Sequence, residues 1–321
     1  MNPELSIVVP IKNAETYLGQ CLDSLVSQSL SCDEIEFVLV DDVSTDLSRK
    51  IMEEYAARDA RFKVVEGEGR GLARARVCGY LHTRGKYIGW VDSDDFVSED
   101  MFEKMLAEAR NEQAELVMTD YDFFPEKVPT KEKWFKPYRG EVTPFFIERN
   151  TQMWNKIFAR NLLERISFVR WMDYCSDGCC AFALIEARGI ASIDQKMYHY
   201  RVGHLSMSSN HRDLRKFIEN VELTRRQREF VVEGRLDEWI DYYDYRIIYS
   251  LLQVLVIASR VDNREVYFKY KLELEKMDFR SNRWLTSVLN ENHGRLRSFV
   301  LRGIIPVGWR LSRCTTKLAY K

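Results

Sequence analysis

Tyr87-Ile88-Gly89-Trp90-Val91-Asp92-Ser93-Asp94-Asp95 is the stretch whose reading decides the fold class. Gly85-Lys86 turns the chain into residues 87–91, an apolar run of strand length, and that run stops on three carboxylates within four positions. Carboxylates crowded at a strand end repel one another unless water or a cation satisfies them. A hard divalent ion such as Mg2+ or Mn2+ takes oxygen ligands and bridges one or two carboxylates to substrate phosphates. A solvated turn in which Ser93 or Asp95 caps a helix is the competing reading.

Working upstream, residues 35–40 form another apolar run, which ends in Asp41-Asp42. Ser44-Thr45-Asp46 then offers N-caps for a helix through Ile51, Met52 and Tyr55. Residues 5–10 read as a buried strand, and 17–28 as a helix with Leu18, Cys21, Leu22 and Leu25 on one face. Residues 62–65 predict a third strand. The loop Gly67-Glu68-Gly69-Arg70-Gly71 leads into a helix over 72–82. Downstream, a helix over 100–113 and a strand over 116–119 complete the unit. Strands separated by helices imply right-handed crossovers and an α/β fold, a mostly parallel sheet covered on both faces. Ligands bind such sheets at the carboxyl ends of the strands. Asp41-Asp42 and Asp92–Asp95 both fall at such an end, which places them in one site.

The remainder reads differently. Residues 123–143 hold three of the seven prolines and many charges, and predict a connection or lid. Mixed structure resumes over 151–201. From Asp213 the pattern turns helical, with Phe217, Val221, Trp239, Tyr243 and Ile247 at apolar positions. The expected organisation is a catalytic domain over 1–210 and a helical C-terminal region over 211–321. A net charge of −1 excludes a bulk electrostatic preference for nucleic acid. The most apolar stretch, 247–258, is interrupted by Tyr249, Ser250 and Gln253 and predicts a buried helix, not a membrane span. With no charged segment ahead of an apolar signal region, the chain reads as cytoplasmic. Cys175, Cys179 and Cys180 cluster without a second pair at zinc-site spacing, so the seven cysteines read as reduced thiols. After Glu291 every charged residue is basic (Arg295, Arg297, Arg302, Arg310, Arg313, Lys317, Lys321), interleaved with Phe299, Leu301, Ile304, Val307 and Trp309. Such a segment either lies in an anionic membrane surface or docks as a helix with a basic outer face.

Taken together, the motifs resemble family 2 glycosyltransferases with the Rossmann-like GT-A fold. Residues Ser6 to Leu18 are similar to the family's opening strand and loop, and Phe37 to Asp46 to its second strand and Asp-Asp-Gly-Ser-Thr-Asp turn. Gly71-Leu72-Ala73-Arg74-Ala75-Arg76, Gly85-Lys86-Tyr87-Ile88 and Val91–Asp95 follow in the family's order. A looser similarity runs through Trp154-Asn155-Lys156-Ile157-Phe158 and Tyr198-His199-Tyr200-Arg201. The resemblance implies that Pro10, Lys12 and Glu15 line the base and ribose pocket, and that Asp42 accepts a hydrogen bond from the base. It places Arg74 near the nucleotide, Asp92 and Ser93 on the nucleotide-sugar, and Asp94 on the metal, Mg2+ or Mn2+.

The family's general base follows the Trp-Asn-Lys segment, which here gives Tyr174-Cys175-Ser176-Asp177-Gly178. Asp177 is the candidate base; Asp173 competes for that role, and a helix N-cap competes as the reading of Asp177. One carboxylate base implies a single displacement with inversion. Trp154 and Lys156 read as acceptor or phosphate contacts, with core packing and a surface lysine as the alternatives. Arg201 and Ser206 read as phosphate contacts, and His199 and His204 as packed histidines before ligands. Three residues depart from the family pattern. Val43 stands for the usual Gly and predicts a turn that avoids positive φ; Lys12 replaces an aromatic residue, and Ala75 a frequent Asn.

The resemblance thus implies an inverting glycosyltransferase using a UDP-sugar and a glycan or lipid-linked acceptor in cell-surface polysaccharide synthesis. A nucleotidyltransferase is the rival, although Pro10–Asn13 lacks the Gly-rich phosphate loop that class carries after its first strand. A non-catalytic sugar-nucleotide-binding module is the second rival.

Overall fold

The computed structural model describes residues 2–125, 135–172, 177, 179–203, 213–277, 279–309 and 312. The chain divides into two compact units, Met1–His204 and Leu205–Lys321. The expected domain boundary, 210/211, falls outside the described residues.

The first unit holds eight strands: β1 (Leu5–Ile11), β2 (Ile35–Asp41), β3 (Phe62–Glu66), β4 (Tyr87–Trp90), β5 (Phe96–Val97), β6 (Leu116–Phe124), β7 (Lys156–Ala159) and β8 (Ile190–Arg201). They form one sheet in the order β3-β2-β1-β4-β7-β6-β8-β5. β3, β2, β1 and β4 are mutually parallel, as the alternation of strands and helices predicts. β7 enters antiparallel to both β4 and β6, which makes the sheet mixed. All seven residues of β1 and of β2 are buried, the signature of central strands covered on both faces.

The covering helices include α1 (Glu15–Val26), α2 (Ser48–Arg58), α3 (Leu72–Leu81) and α4 (Met101–Asn111). α3 lies unusually close to the sheet because Gly79 removes a side chain there: a Cβ would sit 2.2 Å from Val8 Cγ1. Four shorter helices follow, α5 (Pro144–Arg149), α6 (Arg160–Arg165), α7 (Phe168–Met172) and α8 (Cys179–Glu186). The described end of the expected lid is packed: Phe135 is buried, and the Tyr138 N–H donates to Ser192 Oγ at 3.0 Å.

The second unit is helical, as expected: α9 (Leu214–Glu233), α10 (Ile240–Arg260), α11 (Arg264–Lys276) and α12 (Arg283–Phe299), with a π-helical turn Val300–Ile304. Asp213 caps α9 by accepting from the Arg215 N–H. α10 is the apolar helix anticipated over 247–258, and most of its length is buried.

Candidate functional site

The acidic turn joins β4 to β5, and β8 clamps its far end, because Phe96 pairs with His199 and Val97 with Tyr198. The turn is held from inside by Asp95. This residue is 1% exposed; its Oδ2 accepts from the Tyr198 hydroxyl at 2.6 Å and its Oδ1 from the Arg201 N–H at 2.7 Å. Burial, with the nearby Asp92 and Asp94 charges, pushes the Asp95 carboxyl up to about 8. Asp95 is therefore the structural member of the trio. Arg201 adds a second strap: its Nε donates to the Asp94 carbonyl at 2.7 Å, and its guanidinium lies over Tyr17, 4.7 Å from the ring centroid. It is engaged in shaping the turn that carries Asp94.

Arg76 organises the centre of the site. This side chain is 1% exposed, and its two terminal nitrogens donate to different carboxylates: Nη2 to Asp92 Oδ1 at 3.0 Å, Nη1 to Asp177 Oδ1 at 2.5 Å. Burial opposes its charge, but Asp177 and Asp92 more than offset that and hold its pKa above the ordinary guanidinium value. Asp92 is pushed up by burial, with Arg76 pulling the other way and Asp177 and Asp94 adding to the rise. Asp177, by contrast, is 44% exposed at its side chain. Its carbonyl accepts from the Cys180 N–H at the start of α8, and its carboxylate turns toward Arg76. The structure thus joins the sequence-selected Asp92 and Asp177 through a residue that sequence reasoning passed over. Asp173, the alternative base, lies outside the described residues, as do His204 and Ser206.

Arg74, the arginine assigned to the nucleotide, pairs instead with Glu68 in this structure, Nη2 to Oε1 at 2.8 Å. Two positions further along α3, Arg76 is the cation inside the acidic centre.

The loops after β1 and β2 are laced together. Asn13 Oδ1 accepts from the Thr45 N–H, the Glu15 N–H donates to Asp46 Oδ2, and Glu15 Oε2 accepts from the Leu47 N–H. Ser44, Thr45 and Asp46 were expected to cap α2. The residue directly before α2 is Leu47, which makes no side-chain cap bond, but Asp46 Oδ1 accepts from the Ser48 N–H at 2.9 Å in the first turn, while Asp46 Oδ2 and the Ser44 and Thr45 side chains bind the neighbouring loop. Val43 corrects a second expectation. Its φ is +62°, so the turn keeps the left-handed backbone that a glycine would adopt, despite a β-branched side chain.

Asp42 follows directly from β2 and is 2% exposed. Its Oδ2 accepts from the Gly71 N–H at 2.9 Å at the start of α3, whereas Oδ1 is buried with no hydrogen-bond partner among the described residues. A buried carboxylate oxygen in that state costs free energy until a donor meets it. Lys12, half exposed, donates to the Asp42 carbonyl at 2.9 Å. Pro10 is buried in β1 opposite Val40.

On the other side of Asp177, Lys156 is 1% exposed, which corrects the surface-lysine alternative. Its Nζ donates to the Gln152 carbonyl and to Asn155 Oδ1, both at 2.7 Å, and burial pulls its pKa down to about 8. Trp154 is 7% exposed, stacked on Tyr198 at 4.3 Å and Tyr200 at 5.4 Å, so it takes the packed reading rather than presenting a ring to a sugar. His199 is likewise packed, bonded to Asp122 at 2.7 Å and stacked on Phe96. The described cysteines are free thiols.

The oxygen-rich turn fits a hard divalent cation. Asp95 has both oxygens engaged in holding the turn, and Asp92 faces Arg76. No cluster of three His, Cys, Asp or Glu side chains suited to a metal occurs among the described residues.

Comparison with known proteins agrees with this architecture. Residues 6–166 match the family described as Glycosyl transferase family 2. EpsH of Bacillus subtilis (strain 168) is 33% identical over 291 residues, which cover 84% of this chain and 81% of EpsH. The poly(ribitol-phosphate) beta-glucosyltransferase of Bacillus spizizenii is 31% identical over 117 residues, 36% of this chain and 18% of that enzyme. Residues 1–349 of S. aureus TarS, solved in complex with UDP-GlcNAc, superpose with a TM-score of 0.70 at 19% identity, covering 97% of this chain and 92% of that one. The TarS likeness establishes the fold; the sequence matches establish that the chain belongs to glycosyl transferase family 2.

Proposed function

We propose that this protein is an inverting glycosyltransferase that moves the sugar of a UDP-sugar onto a hydroxyl of a glycan or lipid-linked acceptor in bacterial surface-polysaccharide synthesis. The observation that carries the reading is the single buried guanidinium of Arg76, bonded at once to Asp92 of the Asp-x-Asp turn and to the half-exposed Asp177. One side chain thus ties the turn expected to hold the donor to a solvent-reachable carboxylate, which supports a reaction centre between them.

In this reading the unpartnered Asp42 Oδ1 accepts an N–H of the base, which favours uracil, and Lys12, Glu15 and Pro10 border the nucleoside. Mg2+ or Mn2+ would be held by Asp94 with the diphosphate oxygens. When bound, such a cation supplies Lewis-acid stabilisation of the departing nucleoside diphosphate. Asp177 takes the proton of the acceptor hydroxyl as its oxygen attacks the anomeric carbon. Arg76 holds Asp177 and Asp92 in register, and the Arg201 and Tyr198 straps keep the acidic turn from reorganising during the reaction. Because one carboxylate serves as base with no covalent intermediate, the anomeric configuration inverts. The UDP-GlcNAc bound to TarS and the polymer-directed name of the Bacillus spizizenii relative support the donor class and the type of acceptor. An acceptor on a lipid carrier would place the enzyme on the cytoplasmic face of the cell membrane. No helix among the described residues is long and apolar enough to cross a bilayer.

The test is a screen of nucleotide-sugars for metal-dependent thermal stabilisation, followed by release of UDP from the best donor. Wild type is expected to be stabilised by a UDP-sugar only with Mg2+ or Mn2+, and Asp94→Ala to lose that dependence. Asp177→Asn is expected to bind donor normally and to turn over at least 100-fold more slowly. Full turnover by Asp177→Asn removes Asp177 as the base. Donor binding that ignores both chelation and Asp94→Ala removes the metal.

A further inference from the structure

Lys156 is a buried cation that the transfer chemistry leaves unused. Its ammonium is held at the start of β7 by two oxygens, the Gln152 carbonyl and Asn155 Oδ1, each at 2.7 Å. Asn155 is itself fully buried, and its Nδ2 donates to the Thr119 carbonyl at 2.6 Å, which leaves Oδ1 to face the lysine. A methionine would fill the same space without taking a charge out of water. Packing alone does not call for an ammonium there.

The oxygens that hold Lys156 lead to Asp177. The Gln152 carbonyl also accepts from the Cys180 thiol at 3.5 Å, and the same thiol reaches the Asn150 carbonyl at 3.3 Å. Cys179 sets its sulfur against that of Met153 at 3.6 Å. The first two residues of α8 are therefore seated on the 150–153 segment. Cys180 in turn donates its backbone N–H to the Asp177 carbonyl at 3.0 Å. Lys156 is thus linked to the backbone of Asp177, while Arg76 holds its carboxylate.

Cys180 and Asp177, both on the α8 side, favour the charged lysine, and burial opposes it. Of the other elements around it, residues 150–155 and β4 carry no charged side chain. β6 sets Met118 opposite Lys156 with Asp120 two residues along, and α3 brings Arg76 to the same Asp177.

We propose that Lys156 is a positioning residue for Asp177: as an ammonium it braces the 150–153 segment under α8 and so fixes the carboxylate that removes the acceptor proton. The inference rests on the reading of Asp177 as the base. Charge-assisted hydrogen bonds are roughly twice as strong as neutral ones, so the brace slackens when the lysine gives up its proton. Burial brings that event down to about pH 8. The fold gains stability as the proton leaves, because the unfolded lysine holds it more tightly. Turnover moves the other way, and the opposite signs separate a positioning role from a purely structural one.

The test is UDP release by the full chain, at saturating concentration of the UDP-sugar that most stabilises wild type. At pH 7.5, Lys156→Met should lower kcat about tenfold, with UDP affinity by calorimetry kept within about twofold. Wild-type kcat divided by that of Lys156→Met should fall about fivefold between pH 7.5 and 9.5, although wild type gains stability over that range. Lys156→Arg, charged throughout, should recover part of the turnover and show no alkaline loss. Cys180→Ala keeps the N–H to Asp177 and removes the thiol link; it should slow turnover about threefold with UDP affinity kept. Without donor, hydrogen exchange at the Cys180 amide should run about tenfold faster in Lys156→Met. Unchanged exchange, or turnover within about twofold of wild type in Lys156→Met or Cys180→Ala, overturns the proposal. So does a kcat ratio that stays level or rises with pH, which assigns Lys156 to the fold alone. A slow Asp177→Asn beside a fully active Lys156→Met refutes only the positioning role; a fully active Asp177→Asn refutes the base and this inference with it.

Discussion

Replacing Arg76 by Met keeps much of the aliphatic volume and removes the charge that two carboxylates share. Charge-assisted hydrogen bonds contribute about 1.5–3 kcal/mol each when intact. Neither acceptor is fully sealed, however: the Asp92 side chain is 23% exposed and that of Asp177 44%. Both can recover water once the guanidinium is gone, which moves each bond to the low end and gives a total near 3 kcal/mol. For a unit of this size that lowers the melting temperature by about 6–12 °C. Arg76→Lys should recover about half, because an ammonium is a point donor and cannot span two carboxylates as the planar fork does. Asp177→Asn should cost only about 1 kcal/mol, since the amide oxygen still accepts and Arg76 keeps Asp92. The assay is urea unfolding of the four proteins of the Arg76→Met/Asp177→Asn cycle, in chelator and without donor. A coupling of about 1 kcal/mol or more is expected. If the two effects add within about 0.3 kcal/mol, the bridge is not an energetic link and Arg76 does not hold Asp177 in place.

Three further outcomes follow from neighbouring residues. Lys156 is buried with its pKa lowered from 10.5 to about 8. The unfolded chain therefore binds more protons above pH 8, and stability rises with pH as Lys156 neutralises in the folded state. Relative to Lys156→Met, wild type should gain about 2 kcal/mol in urea unfolding between pH 7.5 and 9.5; a flat difference would show that the lysine titrates normally. Val43→Gly relieves a β-branched residue at φ +62°, worth about 1–2 kcal/mol, and loses about 0.5–1 kcal/mol to unfolded-state entropy. The melting temperature should hold or rise slightly, and a fall of more than about 4 °C contradicts the strain argument. Asp42→Asn exchanges the buried, unpartnered carboxylate oxygen for an amide. Calorimetry should show UDP affinity reduced about 10–100-fold and the preference for UDP over GDP narrowed; an unchanged preference means that Asp42 does not read the base.

Most of the scaffold was legible because it is written in runs. The strands over 5–10, 35–40 and 87–91 are apolar stretches broken only by Ser6 and Glu36, whose side chains bond each other at 2.6 Å, and a doubly covered parallel sheet buries such stretches completely. β7 was harder to read: four buried residues that join antiparallel between two other strands carry no periodic signal of their own. The turn after β2 was legible only in part: Asp46 caps the first turn of α2, as its composition suggests, but Ser44 and Thr45 do not. Ser44-Thr45-Asp46 has the composition of a helix cap, but composition does not tell whether a short polar side chain turns to its own helix or to a neighbouring loop. Here the neighbour, Asn13 to Glu15, lies 31 to 32 residues away in sequence. Val43 shows the same limit in the backbone: local sterics argue against φ +62°, and the surrounding loops impose it.

The choice between Arg74 and Arg76 is where sequence pattern loses its grip altogether. In an amphipathic helix the polar face identifies which cation meets solvent. α3 has no such face: in Leu-Ala-Arg-Ala-Arg-Val-Cys-Gly-Tyr-Leu the residues from Ala75 to Tyr80 are all buried, Arg76 among them. Two arginines two positions apart on this helix point in different directions, and only the packing decides which one enters the protein. The signal available in the sequence was indirect. Three carboxylates on the acidic turn and a fourth at Asp177 are too much negative charge to converge without an internal cation, and α3, entered from Gly71 beside Asp42, is the element placed to deliver it. Charge balance across the predicted strand ends, rather than motif position, points to the residue that joins the two halves of the site.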